Sequence, residues 1–218
     1  RVLLTFFNRN PLTLRMRYTL MDYRTLGRTG LRVSEVGLGG EWLEGKSAEE
    51  VCAVMDSAIH AGMNYIDIFM PEPNVRSNIG SALKGRREKM LIQGHIGTVY
   101  EDGQYKRTRD LSQTKEAFED LLSRLQTDYV DVGMIHYVDS AEDYAAVFET
   151  EIIDYAKSLK AEGKIRFLGL SSHNPEIALR AVQTGLIDVL MFSINPAYDF
   201  EDSAADIYSQ MEFSGLKA

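Results

Sequence analysis

The sequence predicts an α/β fold built on a parallel β-sheet. Short apolar runs alternate with amphipathic helical segments along most of the 218 residues. This alternation is typical of βα units, in which each helix returns the chain so that the next strand runs parallel to the last. Six such strands can be recognised, whereas a closed (β/α)8 barrel needs eight strands and about 250 residues. The pattern alone therefore leaves two alternatives, an incomplete barrel and an open doubly wound sheet.

Turn residues and apolar runs locate the strands. A small hairpin is expected first, because residues 23–26 and 31–34 flank the turn Gly27-Arg28-Thr29-Gly30. Residues 97–111 are expected to form a polar loop, with the cluster at residues 105–109 exposed to solvent. The six strands of the main sheet are expected at residues 36–40, 65–68, 90–94, 129–135, 165–170 and 189–194.

Capping residues locate the helices. Ser47 followed by Glu50 forms the capping-box pattern at the start of the first helix, and Gly62 follows its end. Asn174 as N-cap, with Pro175 in the first turn, predicts the start of a later helix. The intervening helices are expected at residues 74–83, 118–125 and 141–161.

Composition and charge argue against several classes of protein. The net charge is −8, so the chain lacks the basic excess with which nucleic-acid-binding proteins neutralise phosphates. No apolar run reaches the roughly 18 residues that a membrane span needs, and no membrane partner is expected. Cys52 is the single cysteine, which favours a reducing compartment and a cytoplasmic protein. Residues 1–20 hold four arginines and no acidic residue; they are expected to be an upstream or leader segment before a fold at residues 21–218.

Polar residues follow the ends of several predicted strands. In parallel α/β folds these ends meet at one edge of the sheet, where reactive groups lie. Asp and His side chains from separate strands can transfer protons near neutral pH or bind a divalent metal. The residue types leave these alternatives open, together with simple packing of each histidine. The strand-end residues are Asp67, His95, His136, Ser171, Ser172 and His173.

Several segments resemble the aldo-keto reductase family, in family order and with family spacing. They are the opening hairpin and first strand at residues 23–34 and 36–40, the aspartate strand at 62–67, the histidine strand at 127–132 with His136, and the fifth strand at 163–171. The resemblance implies a (β/α)8 TIM barrel, of which the N-terminal six βα units are present and the last two are missing. It also implies an NADP(H)- or NAD(H)-linked oxidoreductase that transfers hydride to or from a small-molecule carbonyl or alcohol.

The family's catalytic tetrad of Asp, Tyr, Lys and His is half matched. Asp67 and His136 stand at the Asp and His positions, whereas Glu72 stands at the Tyr position and His95 at the Lys position. In the family the Tyr protonates the carbonyl oxygen and the Lys tunes that Tyr. We therefore expect proton delivery through Glu72 or through His95 and His136. Like charge from Asp67 and burial favour a neutral Glu72 carboxyl, so Glu72→Gln is expected to abolish turnover.

The cofactor positions that the resemblance implies are matched in part. Ser171 and Ser172 stand where a Ser-Asn pair binds the nicotinamide carboxamide, and Met191 replaces the usual Gln. The family's clamp for the 2′-phosphate lies on strands seven and eight, so weak NADPH binding is expected. The complete expected set is Gly40, Glu41, Asp67, Ser171, Ser172, Met191 and Asn195.

A divergent branch of the family is similar at residues 67–71 and 171–174. Some of its members carry a C-terminal ferredoxin-like segment, which implies an iron–sulfur cluster only in a segment outside this chain, together with an electron-transfer partner. Two other functions are kept as alternatives. One is a non-catalytic or inactive barrel fragment; the other is a metal-dependent TIM-barrel hydrolase with the ligands Asp67, His95, His136 and His173.

Overall fold

The computed structural model describes residues 21–193 and contains a six-stranded parallel sheet flanked by helices. Its strands, and those of two small hairpins, are all short. They are β1 (Tyr23–Thr25), β2 (Arg32–Ser34), β3 (Leu38–Gly39), β4 (Tyr65–Ile68), β5 (Leu91–Ile96), β6 (Thr98–Glu101), β7 (Gln104–Arg107), β8 (Val130–Ile135), β9 (Ile165–Ser172) and β10 (Val189–Phe192). The helices are α1 (Ala48–His60), α2 (Pro73–Ala82), α3 (Leu111–Leu125), α4 (Ala141–Phe148), α5 (Glu151–Ala161) and α6 (Pro175–Gln183).

The order of the strands separates the two fold alternatives. The main sheet runs β3-β4-β5-β8-β9-β10, with each neighbouring pair parallel and each strand beside its predecessor. A doubly wound sheet reverses its strand order near the middle, and no reversal is present among these strands. Consecutive order with right-handed crossovers places the connecting helices on one face, as in a (β/α) barrel. The structure therefore has the barrel topology that the resemblance implied, with six parallel strands and five helical crossovers in residues 21–193.

The predicted helix caps are present. The side chain of Ser47 accepts a hydrogen bond from the Glu50 backbone N–H, and the Glu50 carboxylate accepts one from the Ser47 N–H. Asn174 caps α6 in the same way, through the backbone N–H groups of Glu176 and Ile177. These contacts satisfy N–H groups that a helix leaves without intrahelical partners.

Alternation along the strands separates a helix-facing surface from a barrel interior. Gly94 and Gly133 face the helices, because a Cβ atom at Gly94 would meet Leu121 of α3. The residues on either side of Gly94 consequently point inward, as successive strand residues do. A small apolar cluster of Val132, Met134 and Val189 fills the lower part of the interior. The polar residues above it line the C-terminal ends of the strands.

The expectation of a polar loop at residues 97–111 is wrong. β6 and β7 form a hairpin there, with Glu101 paired to Gln104 and a two-residue turn between them. Asp102 and Gly103 in that turn have φ angles of 53° and 76°, the positive values that a tight hairpin turn requires. Asp-Gly between two strand-compatible runs is the sequence signal for such a hairpin.

The expected helix at residues 141–161 is two helices. α4 ends at Phe148, and Glu149 leaves helical geometry with a φ of −112° and a ψ of 14°. Thr150 then caps α5 through its hydroxyl, which accepts the Ile152 N–H. A residue that caps a new helix takes extended backbone angles and so interrupts a continuous helix.

Some sequence expectations lie outside the described residues. These are the leader at residues 1–20, the end of the sixth strand and the candidate cofactor residue Asn195. Within residues 21–193, no helix is long and apolar enough to cross a membrane.

Candidate active site

A cavity of about 370 Å³ opens at the C-terminal ends of the strands. It lies where the fold class places reactive groups, and it brings together side chains from β4, β5, β8, β9 and the β6–β7 hairpin. Aromatic rings, including Phe69, form part of its wall. Its polar lining residues include Asp67, His95, Tyr105, His136, Ser171, Ser172 and His173.

A continuous chain of hydrogen bonds joins four of these residues. The Oδ1 atom of Asp67 lies 2.9 Å from Nε2 of His95. The Nδ1 atom of His95 lies 2.7 Å from Nδ1 of His136. The Nε2 atom of His136 lies 2.5 Å from the hydroxyl oxygen of Tyr105. Three of the sequence-predicted catalytic residues are thus brought together, and Tyr105 joins them from the hairpin.

For two neutral imidazoles, the chemistry of the groups determines the direction of the hydrogen bonds. A carboxylate on Asp67 accepts, so Nε2 of His95 carries a proton. With a neutral His95, its Nδ1 is an acceptor and Nδ1 of His136 must be the donor. With His136 also neutral, its Nε2 accepts from the Tyr105 hydroxyl. One assignment therefore satisfies every contact with an ionised Asp67, two neutral imidazoles and a protonated phenol.

Burial and neighbouring charges hold His136 and Tyr105 neutral. Burial lowers the pKa of His136 well below its ordinary value, and proximity to His95, Arg109 and Arg107 lowers it further. Burial raises the pKa of the Tyr105 phenol, although Arg107 and Arg109 partly oppose that shift. Both directions favour an uncharged imidazole and an uncharged phenol near neutral pH.

A second polar contact fixes the Asp67 end of this chain. The amide nitrogen of Gln93 donates to Oδ1 of Asp67 at 2.6 Å. The amide oxygen of Gln93 accepts from the Tyr65 hydroxyl at 2.7 Å. Burial, and next the charge of Asp67, raise the pKa of Tyr65. Gln93 lies two residues before His95 on the same strand face, so strand alternation could have identified it.

Two arginines hold the hairpin against the His136 loop. Arg109 Nε and Arg107 Nη1 lie 2.8 Å from different oxygens of the buried Asp143 carboxylate. Arg109 also donates to the carbonyl oxygen of His136 at 2.8 Å, and Arg107 donates to that of Tyr137 at 2.6 Å. The expectation that the cluster at residues 105–109 is solvated surface is confirmed for residues 105–107, which are exposed, but not for Thr108, which is buried, or Arg109, which is half-buried. Charge-assisted contacts of this kind restrict both partners and so fix the position of the hairpin.

Aromatic packing orients the reactive rings. The Phe69 ring stacks on the His136 ring with 5.7 Å between centroids and 9° between planes. The Phe69 and Tyr105 rings form a T-shaped pair, with 5.7 Å between centroids and 87° between planes. Offset stacking and edge contacts are the favourable geometries for aromatic pairs, so Phe69 holds the two rings in a fixed relation.

Glu72 is not part of the cavity lining. It is the N-cap of α2, and its two carboxylate oxygens accept the backbone N–H groups of Asn74 at 3.0 Å and Val75 at 2.6 Å. Both oxygens therefore satisfy backbone donors at the start of the helix. The structure therefore gives Glu72 a capping role and does not support the expected role of proton donor. Glu72 before Pro73 is an N-cap pattern that the sequence already contained.

The expected cofactor residues divide into three groups. Lining the cavity are Asp67, Ser171, Ser172 and Met191. Gly40 instead packs against the chain, because a Cβ there would lie 2.8 Å from Met70 Cε, and Glu41 beside it is exposed. Asn195 lies outside the described residues.

The serine hydroxyls already have protein partners. Ser171 Oγ accepts the Tyr137 N–H at 2.8 Å. Ser172 Oγ donates to Asp139 Oδ1 at 3.1 Å. A hydroxyl oxygen has two lone pairs, so Ser171 retains capacity to accept a hydrogen bond from a bound group.

The ligand set of the metal-hydrolase alternative is not assembled. His95 and His136 use both ring nitrogens in the hydrogen-bonded chain, and His173 pairs with Asp139 at 3.1 Å. In the range 21–193, no group of three or more His, Cys, Asp and Glu side chains is arranged to hold a metal ion.

Comparison with known proteins assigns the family. The model of the aldo/keto reductase family matches residues 35–202. This chain belongs to the aldo/keto reductase family. The correspondence of Asp67, Glu72, His95 and His136 to the tetrad positions of the aldo/keto reductases stays a prediction from the sequence.

Individual aldo/keto reductases and related oxidoreductases are similar to the chain over most of its length. An uncharacterised oxidoreductase, YqkF of Bacillus subtilis, is 32% identical over 176 residues, which is 78% of this chain and 56% of that protein. L-galactose dehydrogenase of Arabidopsis thaliana is 31% identical over 184 residues, 79% of this chain and 56% of that protein. The chain thus spans little more than half the length of these relatives.

Solved aldo/keto reductase structures share the fold. A putative aldo-keto reductase from Pseudomonas aeruginosa has a TM-score of 0.75 at 28% identity. The match covers 93% of this chain and 78% of the other chain. The holo form of aldo-keto reductase AKR11C1 from Bacillus halodurans has a TM-score of 0.72 at 27% identity. That match covers 89% of this chain and 64% of the other chain. These matches agree with the consecutive strand order.

Proposed function

We propose that this chain carries the proton-transfer site of an NADP(H)- or NAD(H)-linked oxidoreductase acting on a small carbonyl or alcohol. The observation that carries the proposal is the hydrogen-bonded chain from Asp67 through His95 to His136, open to a cavity at the strand ends. General acid–base groups must lie within hydrogen-bond reach of one another and of the reacting atom. Family membership supplies the reaction class, and the cavity of about 370 Å³ supports a small substrate.

The residues of the cavity fit a nicotinamide ring. Ser171 and Met191 line the same cavity as Asp67 and His95, and Met191 is 43% exposed. Ser171 can accept a hydrogen bond from a carboxamide, while the thioether of Met191 offers a soft apolar contact. A bound nicotinamide supplies or removes the hydride. The chain's own residues then handle the accompanying proton.

Asp67 and His95 act as the store for that proton. The Asp67 carboxylate stabilises positive charge on His95, since Oδ1 and Nε2 are 2.9 Å apart. His136 then conducts the proton, because its two nitrogens contact His95 on one side and Tyr105 on the other. Burial of His136 keeps the conducting imidazole free of permanent charge.

The test compares two histidine variants of the full chain. His95→Asn removes the bridge between Asp67 and His136, whereas His60→Asn changes an exposed histidine on α1. Nicotinamide absorbance is followed with NADPH or NADH and a panel of small aldehydes, and with the oxidised nucleotides and alcohols. We expect His95→Asn to lose about 10²-fold or more in kcat, the usual size of an acid–base contribution, and His60→Asn to match the wild type.

Two results contradict the proposal. A wild-type chain that is inactive with both nucleotides and all substrates would favour the non-catalytic alternative. An active wild type with an equally active His95→Asn variant would show that proton transfer follows another route. The iron–sulfur segment, the electron-transfer partner and the cytoplasmic location stay predictions from the sequence.

A further inference from the structure

A tyrosine on the β6–β7 hairpin reaches the proposed proton-transfer site. We propose that Tyr105 is a catalytic residue that exchanges a proton directly with the substrate oxygen, as the outer end of the chain Asp67–His95–His136. This inference rests on the proposed function and adds a residue that stands at none of the family's tetrad positions. The phenol missing at position 72 is thus supplied from a different element of the fold.

The geometry favours Tyr105 over the other phenols near the cavity. Its hydroxyl oxygen lies 2.5 Å from His136 Nε2, and its ring lines the cavity. The Tyr65 hydroxyl donates to Gln93, which places it on the far side of Asp67. Tyr137 also lines the cavity, but the contacts of His136 link the imidazole to Tyr105. Tyr105 is consequently the phenol joined to the proton store.

The protonation state of Tyr105 suits an acid. Burial raises the pKa of its phenol, so the proton is retained near neutral pH. At the same time the side chain is 42% exposed, and the hydroxyl lies at the boundary between His136 and the open cavity. A group that is protonated, connected to a proton store and accessible to substrate meets the requirements for general acid catalysis.

The proton and electron balance of carbonyl reduction closes through this chain. The reactive form carries one extra proton, with His95 as imidazolium donating from Nε2 to Asp67 and from Nδ1 to His136. The carbonyl carbon receives the hydride, and its oxygen takes the proton from Tyr105. The phenolate oxygen takes the proton of His136 Nε2, and Nδ1 of His136 takes the proton of His95 Nδ1. Both imidazoles and the phenol end uncharged beside the Asp67 carboxylate, so the network has lost one proton and its net charge has fallen from zero to −1, and the product is the alcohol.

The network without the extra proton is arranged for the reverse reaction, the oxidation of an alcohol. In this form the Tyr105 hydroxyl donates its hydrogen bond to Nε2 of His136. The lone pairs of the Tyr105 oxygen are therefore free to accept the proton of an alcohol. Each proton then moves one position inward, and His95 ends as the imidazolium beside Asp67. A single proton on His95 therefore distinguishes the reducing form from the oxidising form.

The hairpin must be anchored for this role. Arg107 and Arg109 bind the buried carboxylate of Asp143 at 2.8 Å, and both also bind backbone carbonyls next to His136. These contacts tie β7 to the end of β8. Tyr105 therefore keeps a fixed position relative to His136, as a proton-transfer partner requires.

The experiment uses Tyr105→Phe in the full chain, with Tyr100→Phe as the matched control. Tyr100 pairs with Tyr105 across the same hairpin, and it lies outside the cavity lining. Deuterium transfer from 4-deuterated NADPH or NADH to 4-nitrobenzaldehyde is measured by mass spectrometry with enzyme in excess, so that a slow single turnover is detected. kcat and KM are then measured against pH for each variant and for His95→Asn.

We expect Tyr105→Phe to lower kcat by about 10²–10⁴-fold, the range of a lost general acid, while KM changes less than about threefold. We also expect its residual rate to lose the pH dependence of the wild type, whereas Tyr100→Phe keeps both kcat and the pH profile. If His95→Asn is impaired but Tyr105→Phe behaves like Tyr100→Phe, the role of Tyr105 is refuted and the relay stands. If the wild type transfers no deuterium, the proposed function and the role of Tyr105 are both refuted.

Discussion

Acid stability offers a direct measure of the buried imidazole at position 136. His136 is 8% exposed, and burial together with the charge of His95 lowers its pKa to about 2. In the unfolded chain a histidine has a pKa of about 6.5. Below that pH the unfolded state binds a proton that the folded state does not bind, so folding stability falls as the pH falls. The contribution of neutral His136 is complete above about pH 6.5 and is lost progressively at lower pH.

The size of the effect follows from the proton count. One proton of difference changes the free energy of unfolding by about 1.4 kcal/mol per pH unit, and because only half a proton differs at pH 6.5, the change between pH 6.5 and 4.5 is about 2 kcal/mol. Urea unfolding, followed by far-UV circular dichroism at several pH values, measures this slope for the wild type and for His136→Gln. We expect the variant to lose about 2 kcal/mol less over that interval, although it starts from a lower stability. His60→Gln is the control, because that side chain is exposed. Parallel curves for the wild type and His136→Gln would refute a neutral buried imidazole at position 136.

Three further predictions test the cap, the barrel interior and the proton count. Glu72→Ala is expected to cost about 1 kcal/mol of stability as a lost N-cap and to leave kcat within about twofold; a large loss of turnover would restore Glu72 as proton donor. Gly169→Ala places a Cβ 2.7 Å from Met134 Cε, and overpacking of this kind costs about 1–3 kcal/mol of stability. Adding Met134→Val is expected to recover part of that loss, as measured by denaturant unfolding. A Gly169→Ala variant as stable as the wild type would contradict the packing argument. Initial rates measured between about pH 6 and 9 test the proton count. The rate of carbonyl reduction is expected to fall with pH and the rate of alcohol oxidation to rise, because the reducing form of the network carries one proton more than the oxidising form. If both rates changed with pH in the same direction, the relay would be excluded.

Much of the fold could be predicted from local signals. Each cap that the sequence indicated at Ser47 and Asn174 is present, because a cap depends on only a few neighbouring residues. The topology needed the resemblance, since the number of strands could not distinguish a barrel from a doubly wound sheet. The convergence of Asp67, His95 and His136 was predictable, because the ends of parallel strands meet at one edge.

The remaining errors came from counting positions without knowing the local backbone. The spacing from Asp67 placed Glu72 at the Tyr position, but Pro73 starts a helix there, and the carboxylate turns to its N–H groups. Tyr105 was missed because its partner His136 is 31 residues away. The Asp102-Gly103 turn would have predicted the hairpin, but the contact itself depends on how the hairpin leans over the sheet.

The residues at which the resemblance implies an altered tetrad are linked by geometry. An ammonium group at the Lys position would place one compact charge beside Asp67. The imidazole of His95 instead presents nitrogens on opposite sides of its ring, which lie 2.9 Å from Asp67 and 2.7 Å from His136. The hydrogen-bonded chain from Asp67 therefore passes through the ring of His95 and continues through His136. The Nε2 atom of His136 contacts the hairpin and not position 72. A phenol at position 105 is in contact with that nitrogen, whereas the Glu72 carboxylate is occupied by the helix cap. In the relay that we propose, the imidazole at position 95 and the phenol at position 105 therefore act together, because the longer relay has its reactive end on the hairpin and not at position 72.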